Sequence, residues 1–295
     1  MTGSGPPPAT TPAQARILEE VLAWGQTRPT VPPDLLDSLA TTLGQAAVSA
    51  TDDPPPPTAL QLASLLRDDA GRSQPWQHDR ATLRGLLLSR SFARDVETGH
   101  TQDLPCLIAA VAQEVAGERP GDPASASSWW NAAAVAAQTD LREELVAVLA
   151  DVRTLWPSLR TPHVEVQVRP SLRTQVAAGP VVVTSRPDLV LDSPLRDDRA
   201  RSLVVVTRTG MPRPREDRRR VRATALLTAL ATGRLPFRWV VLHLTDGRAE
   251  VEDLDPETLT EVATWLGARI AAHLAAPSGD RPTGAGGARA GSSGR

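Results

Sequence analysis

Two short stretches carry the side chains best suited to chemistry. "SRPDLVLD" sets Asp188 directly after Pro187, and "LVVVTRTG" runs a β-branched segment into Arg208, with Val206 two residues earlier. A carboxylate at a strand end can ligate a hard divalent cation, and a guanidinium can neutralise a phosphate and hydrogen-bond it bidentately. Proline interrupts strand pairing and lets Asp188 face a cleft, while alternation puts Val206 and Arg208 on one face of their strand. Glu165, in the alternating "HVEVQVR", is a second acid. Hydrolysis of a phosphodiester with Mg2+ needs several oxygen ligands around the ion. Val206 offers no lone pair, and Arg208 stays protonated and cannot take a proton from water. Asp188, alone or with Glu165, would hold Mg2+ weakly, so this set suits binding better than catalysis.

A run of arginines follows. "PRPREDRRRVR" places Arg213, Arg215, Arg218, Arg219, Arg220 and Arg222 around one helix start. The apolar stripe of that helix is Ala223, Leu226, Leu227 and Leu230, and Arg219 and Arg220 lie one turn earlier on the same side. Arg208, Arg219, Arg220 and Arg222 are therefore candidates for phosphate contacts. A solvated helix face with Glu216 and Asp217 pairing locally accounts for the run equally well. Those two acids fit the positive end of a helix dipole.

Composition narrows the classes. The 295 residues can bury a real core. No apolar run approaches the roughly 20 residues of a spanning helix, and "MTGSGPPPATTP" lacks the features of a signal peptide. The expectation is a cytoplasmic protein without membrane contact. A single cysteine, Cys106, excludes an internal disulfide, and its setting in "LPCLIAAVAQEV" predicts a small buried hydrophobe. The five histidines show no metal spacing, and the net charge of −2 gives no global attraction to nucleic acid. Lysine and tyrosine are both absent, so no lysine can serve as base, Schiff-base former or phosphate ligand.

The elements that must position these side chains fall into two halves. The segments 1–10 and 276–295 are rich in Pro, Gly, Ser and Thr and predict disorder. From 11 to 157 the pattern is helical, with helices expected at about 11–25, 33–48, 58–69, 80–95, 103–117, 127–138 and 140–155. "DDPPPP" before Thr58 reads as a stiff linker, and Asp140 with Glu143 as a capping box. From 158 to 275 the period changes. "HVEVQVR", "GPVVVTSRPDLVL" and "SLVVVT" read as strands; a helix at about 215–232, the strands "FRWVVLHL" and "RAEVED" around a "TDG" turn, and a helix at about 256–275 follow. This is an α/β domain, a central mixed sheet flanked by helices, behind a helical N-terminal region partly continuous with it.

The order "AGPVVVTSRPDLVLD", "RSLVVVTRTG" and "REDRRRVRATALLTALATGRLPFRWVVLHLTDGRAEVEDL" resembles the PD-(D/E)XK nuclease superfamily, in particular the RecB-type domains of actinobacterial proteins. The likeness spans about residues 80 to 275, including "LWPSL" and "VEVQV". It implies a restriction-endonuclease-like core. In that family the second strand carries an aspartate, matched by Asp188, and the third ends in acid, any residue, lysine, then commonly Thr-Gly. Thr209 and Gly210 match, whereas the acid position is Val206 and the lysine position Arg208. The Gln or Asp and the Tyr of the next helix become Arg220 and Thr224, an upstream histidine becomes Gly85, and Glu165 matches a more variable acid. The resemblance with these departures thus implies a nuclease-like protein inactive as an enzyme, without a cofactor, retaining a cleft for DNA or a protein partner. Two alternatives stay open: an active Mg2+-dependent DNA nuclease with a rearranged site, and a helical protein-interaction module on an α/β scaffold.

Overall fold

The computed structural model describes residues 12, 21, 32–48, 58–66, 79–118, 125–156, 159, 164–176, 181–192 and 202–275. The expected segments 1–10 and 276–295, the proline run and most of the helix expected at 11–25 lie outside the described residues. The helices and strands in chain order are α1 (Leu35–Val48), β1 (Thr58–Gln61), α2 (Leu62–Leu65), α3 (Arg80–Glu97), α4 (Leu104–Gly117), α5 (Ala126–Ala132), α6 (Val135–Leu155), β2 (Glu165–Val168), β3 (Leu172–Val176), β4 (Val181–Ser185), β5 (Leu189–Asp192), β6 (Ser202–Arg208), α7 (Pro214–Thr232), β7 (Pro236–His243), β8 (Arg248–Asp253) and α8 (Pro256–Ala275).

Local chemistry sets the helix ends. Asp79 and Asp103 precede α3 and α4, and their carboxylates accept from the Thr82 and Cys106 N–H groups at 2.7 and 3.3 Å; caps of this kind contribute about 1 kcal/mol each. The break between α5 and α6 falls at Ala133 and Ala134 rather than near Thr139. Gln138 explains it, because its amide donates to the Trp130 and Ala133 carbonyls that end α5. Asp140 and Glu143 then sit inside α6 and form no capping box. Cys106 is exposed on the first turn of α4, not buried as its neighbours suggested.

The segment from Thr58 is the clearest departure from the helical expectation. It begins as a strand, β1, pairing parallel with β4 from Thr58↔Val181 to Gln61↔Thr184, with only a one-turn helix after it. An available sheet edge outweighed a weak local preference. The unforeseen β3 pairs antiparallel with the other side of β4, giving a three-stranded sheet of order β1-β4-β3.

The second sheet is mixed, of order β2-β5-β6-β7-β8. β2, β5 and β6 run antiparallel in sequence, β6 and β7 run parallel with α7 as their crossover, and β8 closes the edge antiparallel to β7. Helix α3 packs on β2 and β6 and also on α4 and α6, while α7 contacts β6 and β7 and, on its other side, β3, β4 and α8. A helix buried all round suits that position, and Val221 through Ala229 are buried apart from Arg222. Gly233, at φ 68°, ends α7 in the left-handed conformation that glycine adopts without strain. Because α1 packs on α8 and β1 joins β4, the helical and α/β halves share one hydrophobic core.

Candidate functional site

Arg186, Pro187 and Asp188 carry the chain from β4 in the small sheet to β5 in the large one. The ladder between β5 and β6 runs to Leu189↔Val205, and the Asp188 N–H still donates to the Val205 carbonyl at 3.1 Å. Beyond that point the chain departs at Pro187 and leaves the next β6 N–H without a backbone acceptor. The Asp188 carboxylate takes that place, with Oδ2 accepting from Thr207 N at 2.7 Å. Its Oδ1 accepts from Ser89 Oγ of α3 at 3.2 Å, and the same hydroxyl lies 3.1 Å from Thr207 Oγ1. Asp188 is 7% exposed, so both oxygens are committed in a largely dry setting.

Thr207 meets α3, and alternation turns Val206 and Arg208 to the opposite face, toward α7. Val206 is buried. Arg208 Nε lies 2.6 Å from Asp217 Oδ1, with the N–H not directed at that oxygen, so the contact is an ion pair rather than an aligned hydrogen bond. Asp217, on the first turn of α7, is 2% exposed and accepts from Arg213 N through Oδ2 at 2.8 Å. Asp188 and Arg208, which the sequence suggests as neighbours in one cleft, therefore have separate partners on two sides of β6. Glu165 is also apart. It pairs with Asp192, four positions along β5 from Asp188, which at strand spacing is about 13 Å.

These residues do not fit a divalent ion. Asp188 has both oxygens engaged, Val206 is hydrocarbon and turned to the other face of β6, and Glu165 is at the far end of the strand pair. Among the described residues no group of three His, Cys, Asp or Glu side chains is placed to hold a metal ion.

Other positions of the set are equally occupied. Gly85 on α3 faces the end of β6 so closely that a Cβ there would lie 2.5 Å from Thr209 Oγ1, and no histidine fits without moving that threonine. Thr224 is buried and back-bonded to the Arg220 carbonyl at 2.8 Å, so it presents nothing to a ligand. Three of the six arginines in the run have a partner. Arg222 donates to Glu252 through Nε at 2.9 Å and through Nη2, and Trp239 Nε1 donates to the same carboxylate at 2.6 Å. Arg213 pairs with Glu216, and the Arg219 guanidinium lies 5.7 Å from the centre of the Trp265 ring on α8. Arg220 is part-buried. His243, beside Arg208 in the β6–β7 register, is 3% exposed with Nε2 at 3.3 Å from Glu250 Oε1.

Sequence reasoning missed a second group. Arg169 follows β2 and Arg186 follows β4, both at points where the chain changes sheet. Together with Arg90, Arg94 and Glu97 of α3, and Glu114 and Glu118 at the end of α4, they line an open cleft of about 280 Å³. The Arg169 N–H donates to the Asp188 carbonyl at 2.9 Å, so the cleft adjoins Asp188. No local signal marks these arginines, because only the sheet crossovers bring them together.

No family model matches the chain, and no curated protein matches it. A solved structure described as "Crystal structure of SSO0001" is similar over 77% of this chain and 81% of that one, at 12% identity and a TM-score of 0.26. A likeness at that level carries no conclusion about fold or function. No helix among the described residues is long and apolar enough to cross a membrane.

Proposed function

We propose that the chain is a PD-(D/E)XK, RecB-type nuclease-like protein that has lost catalysis and keeps a cleft beside Asp188 for DNA. The order in the large sheet supports this reading: β2 with Glu165, β5 with Asp188 just before it and β6 with Arg208 are antiparallel neighbours, and a crossover helix leads to β7, parallel to β6; β3 and β4 of the small sheet intervene between β2 and β5 in the chain. The observation that carries the loss of catalysis is at Asp188, whose carboxylate closes the β5–β6 ladder on Thr207 N and accepts from Ser89 Oγ, while the buried Val206 at the family's acid position offers no oxygen. Cation chemistry there would have to displace a structural hydrogen bond and gain ligands from a hydrocarbon side chain.

One observation favours a second reading, an active enzyme with a rearranged site. Asp217 on α7 reaches Arg208 at the position where the family has lysine. Its oxygens, however, serve Arg208 and the Arg213 N–H. The purified chain incubated with linear and single-stranded DNA in Mg2+ or Mn2+ separates the two. The first reading expects uncut DNA, with cutting gained only in a variant such as Val206→Asp with Arg208→Lys. Cutting by the unaltered chain that Asp188→Ala or Asp217→Ala abolishes would establish the second.

A further inference from the structure

We infer that the cleft formed by α3, the end of α4 and the two sheet crossovers binds a phosphodiester group of a DNA strand, with Arg169 and Arg186 as its ligands. The inference rests on the DNA-binding reading above and gives it a different surface from the arginine run of α7.

The lining sets four arginines against the three carboxylates Glu97, Glu114 and Glu118, and pairing singles out Arg169 and Arg186. Arg90 forms a two-point pair with Glu118, Nη1 to Oε1 at 2.5 Å and Nη2 to Oε2 at 3.0 Å, and Arg94 pairs with Glu114. Among the described residues, no carboxylate lies within ion-pair distance of the Arg169 or Arg186 guanidinium, and neither side chain has a hydrogen-bond partner. Arg169 Nε is buried and unpartnered, as is Arg90 Nε. A buried donor without an acceptor is costly, and an anion in the cleft would supply one.

The local backbone and electrostatics agree. Arg169 sits at φ 46°, a left-handed conformation that a residue with a long side chain rarely adopts, and its N–H is anchored on the Asp188 carbonyl. Strain of this kind is tolerated where the surrounding structure fixes it, and here it accompanies a guanidinium turned into the cleft. Burial holds the Arg169 guanidinium below its ordinary value; Arg90 and Arg186 add to that effect, and Asp188 and Glu118 oppose it. Arginine nevertheless stays protonated, so the positive charge persists.

Size and shape point to part of a polymer. The volume of about 280 Å³ falls just below the range of roughly 300–1,000 Å³ that holds whole small-molecule ligands. The cleft is open to solvent, so a bound group can belong to a longer chain. Planar guanidiniums from two separate loops suit the oxygens of one phosphate, each able to donate two parallel hydrogen bonds. With a net charge of −2, attraction of DNA depends on such a local patch.

Fluorescence anisotropy of a labelled mixed-sequence oligonucleotide, single-stranded and as a duplex, tests this with the full chain over a range of salt. Arg169→Gln with Arg186→Glu should weaken binding at least about tenfold, and the loss of two contacts should flatten the single-strand salt dependence by about 1.4 in log–log slope. Arg173→Glu, at an exposed position of β3, makes the same charge change as Arg186→Glu alone, controls for net charge and should weaken binding far less than that variant. Arg186→Glu alone, at an exposed position, keeps the test valid should the double variant fold poorly. If Arg219→Ala with Arg220→Ala weakens binding more than the cleft variants do, DNA binding stands and its placement in the cleft is overturned. If the unaltered chain binds no DNA, or only inorganic phosphate displaced at matched ionic strength, the inference and the reading beneath it both fall.

Discussion

On the α7 side of the large sheet, Arg208, Arg213 and Arg222 each meet a carboxylate and Arg219 meets an indole ring. In the cleft between α3 and α4, Arg169 and Arg186 meet neither. The first surface is dense in arginine along the sequence, and half of its run is answered by a carboxylate or an indole; the second is sparse along the sequence and leaves two of its four arginines with neither. What decides binding capacity is the charge left over after the fold has made its own pairs. Glu252 and Trp265, which answer the arginine run, come from elements well downstream of it.

The contrast implies that arginines of the first surface hold the fold together and those of the second do not. The largest effect is expected at Asp217. Asp217→Ala leaves the Arg208 charge without its partner at a 2%-exposed position and removes the acceptor for Arg213 N. A loss of about 3 kcal/mol, the lower end for breaking a buried pair, should appear in urea unfolding.

A smaller effect is expected at Glu252. Burial acts to raise its carboxyl, yet the hydrogen bonds from Arg222 and Trp239 outweigh that and hold it below the ordinary 4.5. A carboxyl depressed in the folded state contributes stability that is present above its unfolded value and is lost as pH falls through the folded one. Glu252→Gln should cost about 1–2 kcal/mol at neutral pH. The difference from the unaltered chain should shrink as pH drops below 4.5, read from melting temperatures across an acid series.

The smallest effect has the opposite sign. Arg169→Gly removes an unpaired charge and relieves the left-handed backbone at φ 46°, and should raise stability by about 1 kcal/mol in the same urea assay. Loss of stability there comparable to Asp217→Ala would erase the distinction between the two surfaces.

Much of the architecture was legible because it is local. The apolar β6 and β7, the hairpin closed by Gly247 at φ 67°, and α7 with its proline start and glycine stop are written in period and punctuation. β1 and β3 were not, since each exists by pairing with β4, and a short segment's partner is invisible to its own residues. The site was legible only in its parts. Asp188, Val206 and Arg208 were recognisable by type and spacing, but that Asp188 substitutes for a missing backbone acceptor follows from where the ladder ends. The meaning of Arg169 and Arg186 follows from chain crossings between two sheets, and no linear pattern encodes those.

Titration calorimetry of Mn2+ into the full chain and into Asp188→Asn measures most directly whether this site has given up its ion. The expected result is that Asp188→Asn changes nothing in the Mn2+ isotherm. A saturable one-to-one site in the unaltered chain that vanishes in Asp188→Asn would contradict the structural role assigned to that carboxylate.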